Sequence, residues 1–249
     1  MGGTAVILIK LGGSLLDDAA RREAALRAIV ARWNAGEDVV LVHGGGKHID
    51  AALAKLGIAK KTHAGLRVTD AATLDVVVSV LAGTVNKMLV SELAKLGVRA
   101  AGLSGADGAT LVATKHPDLD GVDLGHVGQV TQANVTLIKA MLTYGTLPVI
   151  SSIAAGPEGT LLNVNADSAA AALAVALRAR SLRFITDVAG VLDANGDLVP
   201  RLGVSDTKTF IDNVSGGMKP KLQAALTALV SGVGEIVIGE EGGTTLVAA

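Results

Sequence analysis

The sequence predicts an α/β protein in which helices cover both faces of a mostly parallel central sheet, a three-layer α/β/α sandwich. Short apolar runs such as residues 5–9 and 39–42 alternate with longer amphipathic stretches, and this alternation is typical of parallel strands joined by helices. The chain has 249 residues, of which 50% are hydrophobic. A chain of this length and composition can bury a sizeable core.

The first helical pattern covers residues 17–33, where Leu26, Ile29 and Val30 recur among arginines and Gly36 ends the periodicity. The elements predicted after it are a helix at 49–56 stopped by Gly57, a long helix at 71–96 interrupted near Gly83, short strands and hairpins at 97–130, a helix at 131–144, a buried strand at 147–153 and an alanine-rich helix at 166–178.

A smaller set of elements follows residue 180. It comprises a strand at 182–186, a hairpin around 193–196, helices at 205–213 and 218–231, and a strand at 235–238. We therefore expect an N-terminal lobe of residues 1–175 and a C-terminal lobe of residues 176–249. No long Pro/Ser linker separates them, so the two lobes should share one continuous sheet.

Composition excludes several classes of function. The net charge of −1 and the lack of a polybasic stretch give no support for nucleic-acid or membrane-surface binding. No apolar run approaches the ~20 residues that span a bilayer, and no signal-peptide pattern precedes the first strand, so a cytoplasmic protein is expected. The absence of cysteine excludes disulfides and thiolate chemistry. His43 and His48 are too badly spaced for a zinc site.

Four short segments carry glycine or lysine where predicted strands meet predicted helices. They are Lys10-Leu11-Gly12-Gly13, His43-Gly44-Gly45-Gly46, Asn163-Val164-Asn165-Ala166-Asp167 and Gly217-Met218-Lys219-Pro220-Lys221. Glycine-rich turns from strand to helix present unpaired backbone N–H groups at the positive end of a helix, which favours a bound phosphate. With lysines and an acidic residue added, the set has what phosphoryl transfer needs, namely positioning and charge neutralisation.

Individual residues in these segments admit a plain interpretation and a functional one. Lys10 ends an apolar strand, so its head must reach solvent or meet an anion at the strand's carboxyl end. The glycine run after His43 lacks the Walker A spacing, but three consecutive glycines cost more conformational entropy than a plain turn requires. Asp167 suits the N-cap of a helix. Lys221 lies in a first helical turn, where a cation opposes the helix dipole unless an anion is bound there.

Two further residues suit recognition of a small acid. Arg67 lies between apolar neighbours, and its planar guanidinium matches bidentate capture of a carboxylate, although a lone arginine is more often a surface charge. The side-chain amide of Asn163 can both donate and accept hydrogen bonds, although a turn at a strand end would also explain it.

On these residues the chain resembles the amino acid kinase family over nearly its whole length. The agreement extends to GLRVT at 65–69, LAGTVNK at 81–87, GHVG at 125–128, LPVISS at 147–152 and DVAGVL at 187–192. The resemblance implies the amino acid kinase fold, also called carbamate kinase-like. It also implies that the N-terminal lobe binds the amino-acid substrate and forms a dimer interface, and that the C-terminal lobe binds ATP.

The resemblance also implies roles for single residues. It makes Lys10, Asp167 and Lys221 catalytic, with Asp167 holding the two lysines in position. It assigns substrate binding to Gly44, Gly45, Gly46, Arg67 and Asn163. It assigns nucleotide binding to Gly12, Gly13, Asp187, Val188, Ala189, Gly190, Val191, Leu192, Met218 and Lys221. Lys219 departs from the small or aliphatic residue common at its position, and we expect it to face solvent.

The activity implied is ATP-dependent phosphorylation of the γ-carboxylate of N-acetyl-L-glutamate, a step of arginine biosynthesis. We expect no metal site on the protein, because acidic residues are scarce near these segments and Mg²⁺ can be carried mainly by the nucleotide phosphates. The alternatives are a kinase of the same fold acting on another small acid, such as an N-acetylated aminoadipate, and a non-catalytic sensing module. An NAD-binding dehydrogenase is disfavoured because no GxGxxG follows the first strand.

Assembly is expected to be a homodimer. Arginine-inhibited members of the family add an N-terminal helix that builds a hexamer, whereas here only residues 1–4 precede the first strand. We therefore expect no direct inhibition by arginine.

Overall fold

The computed structural model describes residues 5–214, 216–239 and 242–248. The expectation based on residues 1–4 therefore lies outside the described residues. The strands are β1 (Ile7–Leu11), β2 (Val39–His43), β3 (Thr62–His63), β4 (Leu66–Arg67), β5 (Ala100–Ser104), β6 (Leu111–Lys115), β7 (Val127–Ala133), β8 (Leu147–Ser151), β9 (Ile153–Ala155), β10 (Leu161–Val164), β11 (Ser181–Ile185), β12 (Arg201–Leu202), β13 (Glu235–Ile238) and β14 (Thr244–Leu246). The α-helices are α1 (Ala19–Asn34), α2 (Gly46–Lys55), α3 (Ala71–Val78), α4 (Asn86–Lys95), α5 (Thr136–Thr143), α6 (Ala166–Leu177), α7 (Val204–Asn213) and α8 (Met218–Val230).

The central sheet has eight strands in the order β12-β14-β13-β11-β1-β2-β8-β5. Its pairings are parallel except for that of β13 with β14. The mostly parallel sheet is thus confirmed. It runs without a break through strands from both sides of residue 176, as expected, while the separate binding roles of the two lobes stay a prediction.

Two hydrophobic cores lie on the two faces of this sheet, because successive side chains of a strand point to opposite faces. Leu8, Val42 and Phe184 pack on one face with α6 and α8. Ile9 and Leu41 pack on the other face with α1, α2 and the α3–α4 region. This arrangement is the predicted three-layer sandwich.

A second, small sheet is formed by β6, β7, β9 and β10, which close on one another. The strands and hairpins expected between 97 and 130 are therefore present, but two other predictions were wrong. β7 continues to Ala133, where Gln132 pairs with Val112, so the helix predicted from residue 131 begins only at Thr136. The strand predicted at 147–153 is two strands, β8 in the central sheet and β9 in the small sheet.

The long predicted helix is continuous from Ala71 to Lys95, with a π-helical segment at Ser79–Val85 in place of the expected interruption. Its length and mean hydropathy of 1.5 would allow a membrane span. However, Leu89 and Leu93 are buried in the second core, and Asn86 is fully buried. It therefore packs as the core helix of a globular protein does.

Candidate active site

The centre of the site is a buried group of two lysines and one carboxylate. Lys10 lies two residues after Leu8 on β1, on the face that α6 and α8 cover, and Asp167 and Lys221 come from the first turns of those helices. The Nζ of Lys10 lies 2.8 Å from Oδ1 of Asp167, and the Nζ of Lys221 lies 3.1 Å from Oδ2. All three residues are at most 7% exposed. The structure thus brings together the three predicted catalytic residues.

Asp167 is not the N-cap of α6, contrary to its plain interpretation. The side chain of Asn165 caps the helix instead, since its Oδ1 accepts from the N–H groups of Asp167 and Ser168 at 2.9 and 3.0 Å. The carboxylate of Asp167 is therefore left to hold the lysines. A cap at Asn165 could have been considered from the sequence, because asparagine caps helices as well as aspartate does.

The electrostatics of this group favour an added anion. Burial raises the pKa of Asp167, but the two neighbouring lysines outweigh this effect and hold it below its ordinary value. Burial and the charge of Lys10 lower the pKa of Lys221, against the opposing effect of Asp167. The Lys221 ammonium also lies 5.3 Å from the centre of the Phe184 ring. Two buried cations share one anion, so a phosphate would complete the charge balance.

The glycine turn after β2 provides backbone donors beside this group. Gly45 is the N-cap of α2 and has no side chain, and no described residue accepts a hydrogen bond from the N–H groups of Gly45 or Gly46. A Cβ on Gly45 would lie 2.9 Å from a methyl carbon of Leu81, and one on Gly44 would lie 3.3 Å from the Cβ of Ala166. Glycine therefore lets the turn pack between the long helix and the start of α6.

The first glycine turn lies beside Lys10. A Cβ on Gly12 would collide with the Nζ of Lys10, so glycine leaves that side chain its place. The N–H of Gly12 donates to the carbonyl of Ile185 at 3.3 Å. Gly13 begins a short 3-10 helix, Gly13–Leu16. The N–H of Gly12 is thus already paired, and the role of this turn in binding phosphate stays a prediction.

Arg67, the predicted substrate clamp, is held by α2. Its Nη2 donates to the carboxylate of Asp50 at 2.5 Å and to the carbonyl of Gly46 at 3.2 Å. Its Nη1 is buried without a hydrogen-bond partner among the described residues. The role of Arg67 as a substrate clamp stays a prediction. Sequence reasoning missed Asp50, which also pairs with Lys60 at 2.8 Å; an acidic residue on an amphipathic helix carries no signal of its own.

Asn163 lies next to Arg67 through a shared threonine. The Nδ2 of Asn163 donates to Oγ1 of Thr69 at 3.2 Å, and that hydroxyl donates to the carbonyl of Arg67 at 2.8 Å. The two predicted substrate residues thus belong to one hydrogen-bonded group. It lies beside the glycine turn, because Arg67 contacts Gly46.

A loop after β11 presents apolar side chains to solvent. Val188 and Leu192 are 39% and 48% exposed, and Leu198, which sequence reasoning missed, is 38% exposed. The buried hydroxyl of Thr244 fixes this loop by accepting from the N–H of Val191 and donating to the carbonyl of Val199, both at 2.7 Å. Exposed aliphatic side chains on a fixed loop suit the flat face of a base.

The remaining predicted nucleotide residues lie around this loop and the start of α8. Gly190 packs against Leu198 and Thr244, and Ala189 is exposed beside it. The charge of the Asp187 carboxylate opposes the lowering of the pKa of Lys221. On α8, Met218 is half-buried and Lys219 is exposed, as expected for Lys219. Among the described residues, no three histidine, aspartate or glutamate side chains gather as a metal site.

Comparison with known proteins agrees with this geometry. The sequence profile of the amino acid kinase family matches residues 5–240. The acetylglutamate kinase of Methanopyrus kandleri is 44% identical over 239 residues, which cover 93% of each chain. A solved protein from Streptococcus mutans UA159 superposes with a TM-score of 0.88 at 32% identity, covering 98% of this chain and 99% of the other.

The fold is also shared with a more distant enzyme. Giardia carbamate kinase superposes with a TM-score of 0.74 at 14% identity, and the match covers the whole of both chains. The carbamate kinase-like fold is thus confirmed. From the family profile and these relatives, the chain belongs to the amino acid kinase family.

Proposed function

We propose that the protein uses ATP to phosphorylate the γ-carboxylate of N-acetyl-L-glutamate, giving N-acetyl-L-glutamyl 5-phosphate in arginine biosynthesis. The observation that carries this proposal is the buried group of Lys10, Asp167 and Lys221 beside a glycine turn in which the N–H groups of Gly45 and Gly46 have no acceptor among the described residues. The Methanopyrus kandleri relative, named acetylglutamate kinase, supports the choice of acceptor.

The reaction requires no general base. The acceptor carboxyl group has a pKa near ~4 and is ionised at neutral pH. One of its oxygens forms the new bond to the γ-phosphorus while the bond from that phosphorus to the β–γ bridging oxygen breaks, and the electron pair leaves with ADP. The obstacle is the approach of two anions, which fixed cations and backbone N–H groups reduce electrostatically.

The site residues divide this task between them. We propose that Lys10 and the N–H groups of Gly45 and Gly46 contact the transferring phosphoryl group. Lys221 meets the charge that develops on the nucleotide side. Asp167 holds the two buried ammonium groups in place. Arg67 binds the acceptor's α-carboxylate through its free Nη1.

Magnesium fits this site as part of the nucleotide. Asp167 already binds two lysines, so it is a poor ligand for a cation. We propose that Mg²⁺ is held by the ATP phosphates and by water, as is usual for this ion. Bound there, it neutralises phosphate charge.

The apolar loop with Leu192 and Leu198 would hold the adenine, and Gly12 and Gly13 would hold the phosphates.

The decisive experiment is a panel of acceptors assayed with Mg·ATP. Acyl phosphates react with hydroxylamine, so the hydroxamate formed identifies a phosphorylated carboxylate. N-acetyl-L-glutamate is expected to give the highest kcat/KM among acetylated and free acidic amino acids. A higher value for N-acetyl-aminoadipate would move the assignment to another acid. Binding of ATP and acceptor without any product would support the sensing module.

We also propose a cytoplasmic homodimer. The helix Ala71–Lys95 is apolar but only partly buried, and β5 at the edge of the sheet is half-buried throughout. A second copy that packs against the helix Ala71–Lys95 and the β5 edge would cover both. Light scattering after size exclusion should give twice the mass of 24.9 kDa. The mass of a hexamer would contradict the proposal.

A further inference from the structure

A buried histidine lies on the side of the sheet opposite the lysines. His43 is the last residue of β2, and it follows Leu41 on the face that packs against the α3–α4 region, whereas Val42 lies on the face of α6 and α8. Its side chain is fully buried. Nothing in the phosphoryl transfer described above uses this residue, yet it directly precedes the glycine turn.

Both ring nitrogens of His43 have fixed partners. Nε2 lies 3.1 Å from the Nδ2 of Asn86, and Nδ1 lies 2.9 Å from the carbonyl oxygen of Gly44. The same Nδ2 also faces the carbonyls of Val149 and Leu103, while the Oδ1 of Asn86 accepts from Lys87. The amide orientation of Asn86 is therefore determined, and Nδ2 can only donate.

It follows that Nε2 accepts and Nδ1 carries the proton, which it donates to Gly44. Burial lowers the pKa of His43 to about 4, with a smaller contribution from nearby Lys10 and Lys87. The ring is thus neutral near pH 7 and keeps this one tautomer. A group in this state cannot act as a general acid or base there, but it can fix a carbonyl.

The carbonyl of Gly44 belongs to the peptide that carries the N–H of Gly45. No described peptide bond is cis, so the N–H of Gly45 points opposite to that carbonyl, away from His43. Lys10 and Asp167 lie on the other face of the sheet from His43. The contact of Gly44 with Ala166, next to Asp167, places the turn there. No described group accepts a hydrogen bond from the N–H of Gly45.

A peptide between two glycines has little intrinsic preference for one orientation, because glycine adopts positive and negative φ about equally. Without an anchor, the Gly44–Gly45 peptide could rotate and take its N–H away from the phosphoryl group. We propose that His43 is a positioning residue whose Nδ1–H holds the carbonyl of Gly44, so that the N–H of Gly45 faces the group being transferred. This inference rests on the proposed kinase function.

Two substitutions separate this role from packing. In His43→Asn the side-chain amide nitrogen can take the place of Nδ1 and keep the bond to Gly44. In His43→Gln the amide matches Nε2 and keeps the contact with Asn86, but the bond to Gly44 is lost. Losing one oxyanion donor typically costs 10²–10³ in kcat. Because the donor here is displaced and not removed, we expect His43→Gln to lower kcat by about 10- to 100-fold.

The expected pattern is a split between kcat and KM. His43→Asn should keep kcat within about threefold of the unmodified protein, and neither variant should change the KM for ATP or for the acceptor more than about threefold. Thermal melting of both variants shows whether each is folded. Equal losses of kcat, no loss in either, or a greater loss in His43→Asn would overturn the inference.

A binding measurement keeps the test independent of the acceptor. With ¹⁵N-glycine labelling, the amide resonance of Gly45 should shift when Mg·AMP-PNP is added to the unmodified protein and to His43→Asn, but not to His43→Gln. If the unmodified protein phosphorylates no acid, the proposed function fails while this shift still tests His43. An unshifted Gly45 amide in the unmodified protein, or the same shift in all three, would reject the positioning role.

Discussion

Replacing Asp167 by asparagine removes the carboxylate that forms ion pairs with two buried ammonium groups. Asp167 lies 2.8 Å from Lys10 and 3.1 Å from Lys221, and the lysine side chains are 8% exposed. Breaking a buried ion pair by removing one partner costs about 3–5 kcal/mol. For a chain of this size that corresponds to a melting temperature lower by roughly 6–20 °C.

The same substitution should change the pH dependence of activity. Asp167 raises the pKa of Lys221 against the lowering caused by burial and Lys10. Without Asp167 that pKa falls further, so Lys221 loses its proton at a lower pH. Because the site needs the charged ammonium, the fall of activity on the alkaline limb of the pH profile should occur at a lower pH in the variant. At neutral pH, kcat should fall by at least about 10²–10³, the scale for losing an electrostatic stabiliser.

The assay is ADP release at saturating Mg·ATP and acceptor from pH 6 to 10, together with thermal melting with and without Mg·ATP. Nucleotide phosphate supplies an anion to the unpaired lysines, so ATP should raise the melting temperature of the variant more than that of the unmodified protein. Asp212→Asn, at an exposed position on α7, is the matched control and should change nothing. A loss of kcat below tenfold with an unmoved alkaline limb would refute the reasoning.

Three further predictions concern the other parts of the site. Lys221→Ala should lower kcat by about 10²–10³ while Lys219→Ala does little, since positions two apart on a helix lie about 200° around its axis; a larger loss for Lys219→Ala would move the catalytic role to that residue. Arg67→Ala should weaken acceptor binding by about 1.5–3 kcal/mol in equilibrium dialysis, leaving ATP binding intact; an unchanged acceptor affinity would reject the clamp. Leu198→Asp should raise the KM for ATP and leave the KM for the acceptor unchanged in steady-state kinetics with each substrate varied in turn. An unchanged KM for ATP would reject a role of this loop in binding the nucleotide.

Much of the fold follows from local patterns in the sequence. The apolar runs that form most of β1 and β2 lie next to glycine turns. Gly36 and Gly57 follow the ends of α1 and α2 and adopt φ of +86° and +69°. These elements were predictable because burial and turn chemistry act within a few residues.

The small sheet was harder to predict because its pairs are distant in sequence. Gln132 belongs to a strand since it pairs with Val112, although its own neighbourhood also suits a helix. Likewise β14 has only three residues and depends on β13 and β12 for its conformation. Tertiary pairing overrides local preference in such segments.

That Lys10, Asp167 and Lys221 lie together was predictable, but the residues that support the site were not. Lys10 and Lys221 each conflict with a plain structural role, whereas helix capping alone would explain Asp167 and only the family resemblance singles it out. The residues that hold the site, such as Asp50 beside Arg67 and Asn86 beside His43, look ordinary in the sequence. Their importance depends on which neighbour the fold gives them.

The π-helical segment Ser79–Val85 sets the rotation of α4 about the axis of the long helix. A π turn holds one residue more than an α turn, and each residue of a regular helix turns the chain by about 100°. If the same residues formed a regular helix, the chain after the segment would be turned by about 100° more, so Asn86 would rotate away from His43, and Leu89 and Leu93 out of their core. The wide turn therefore takes up one residue and keeps the following helix in the rotation at which Asn86 supports the glycine turn.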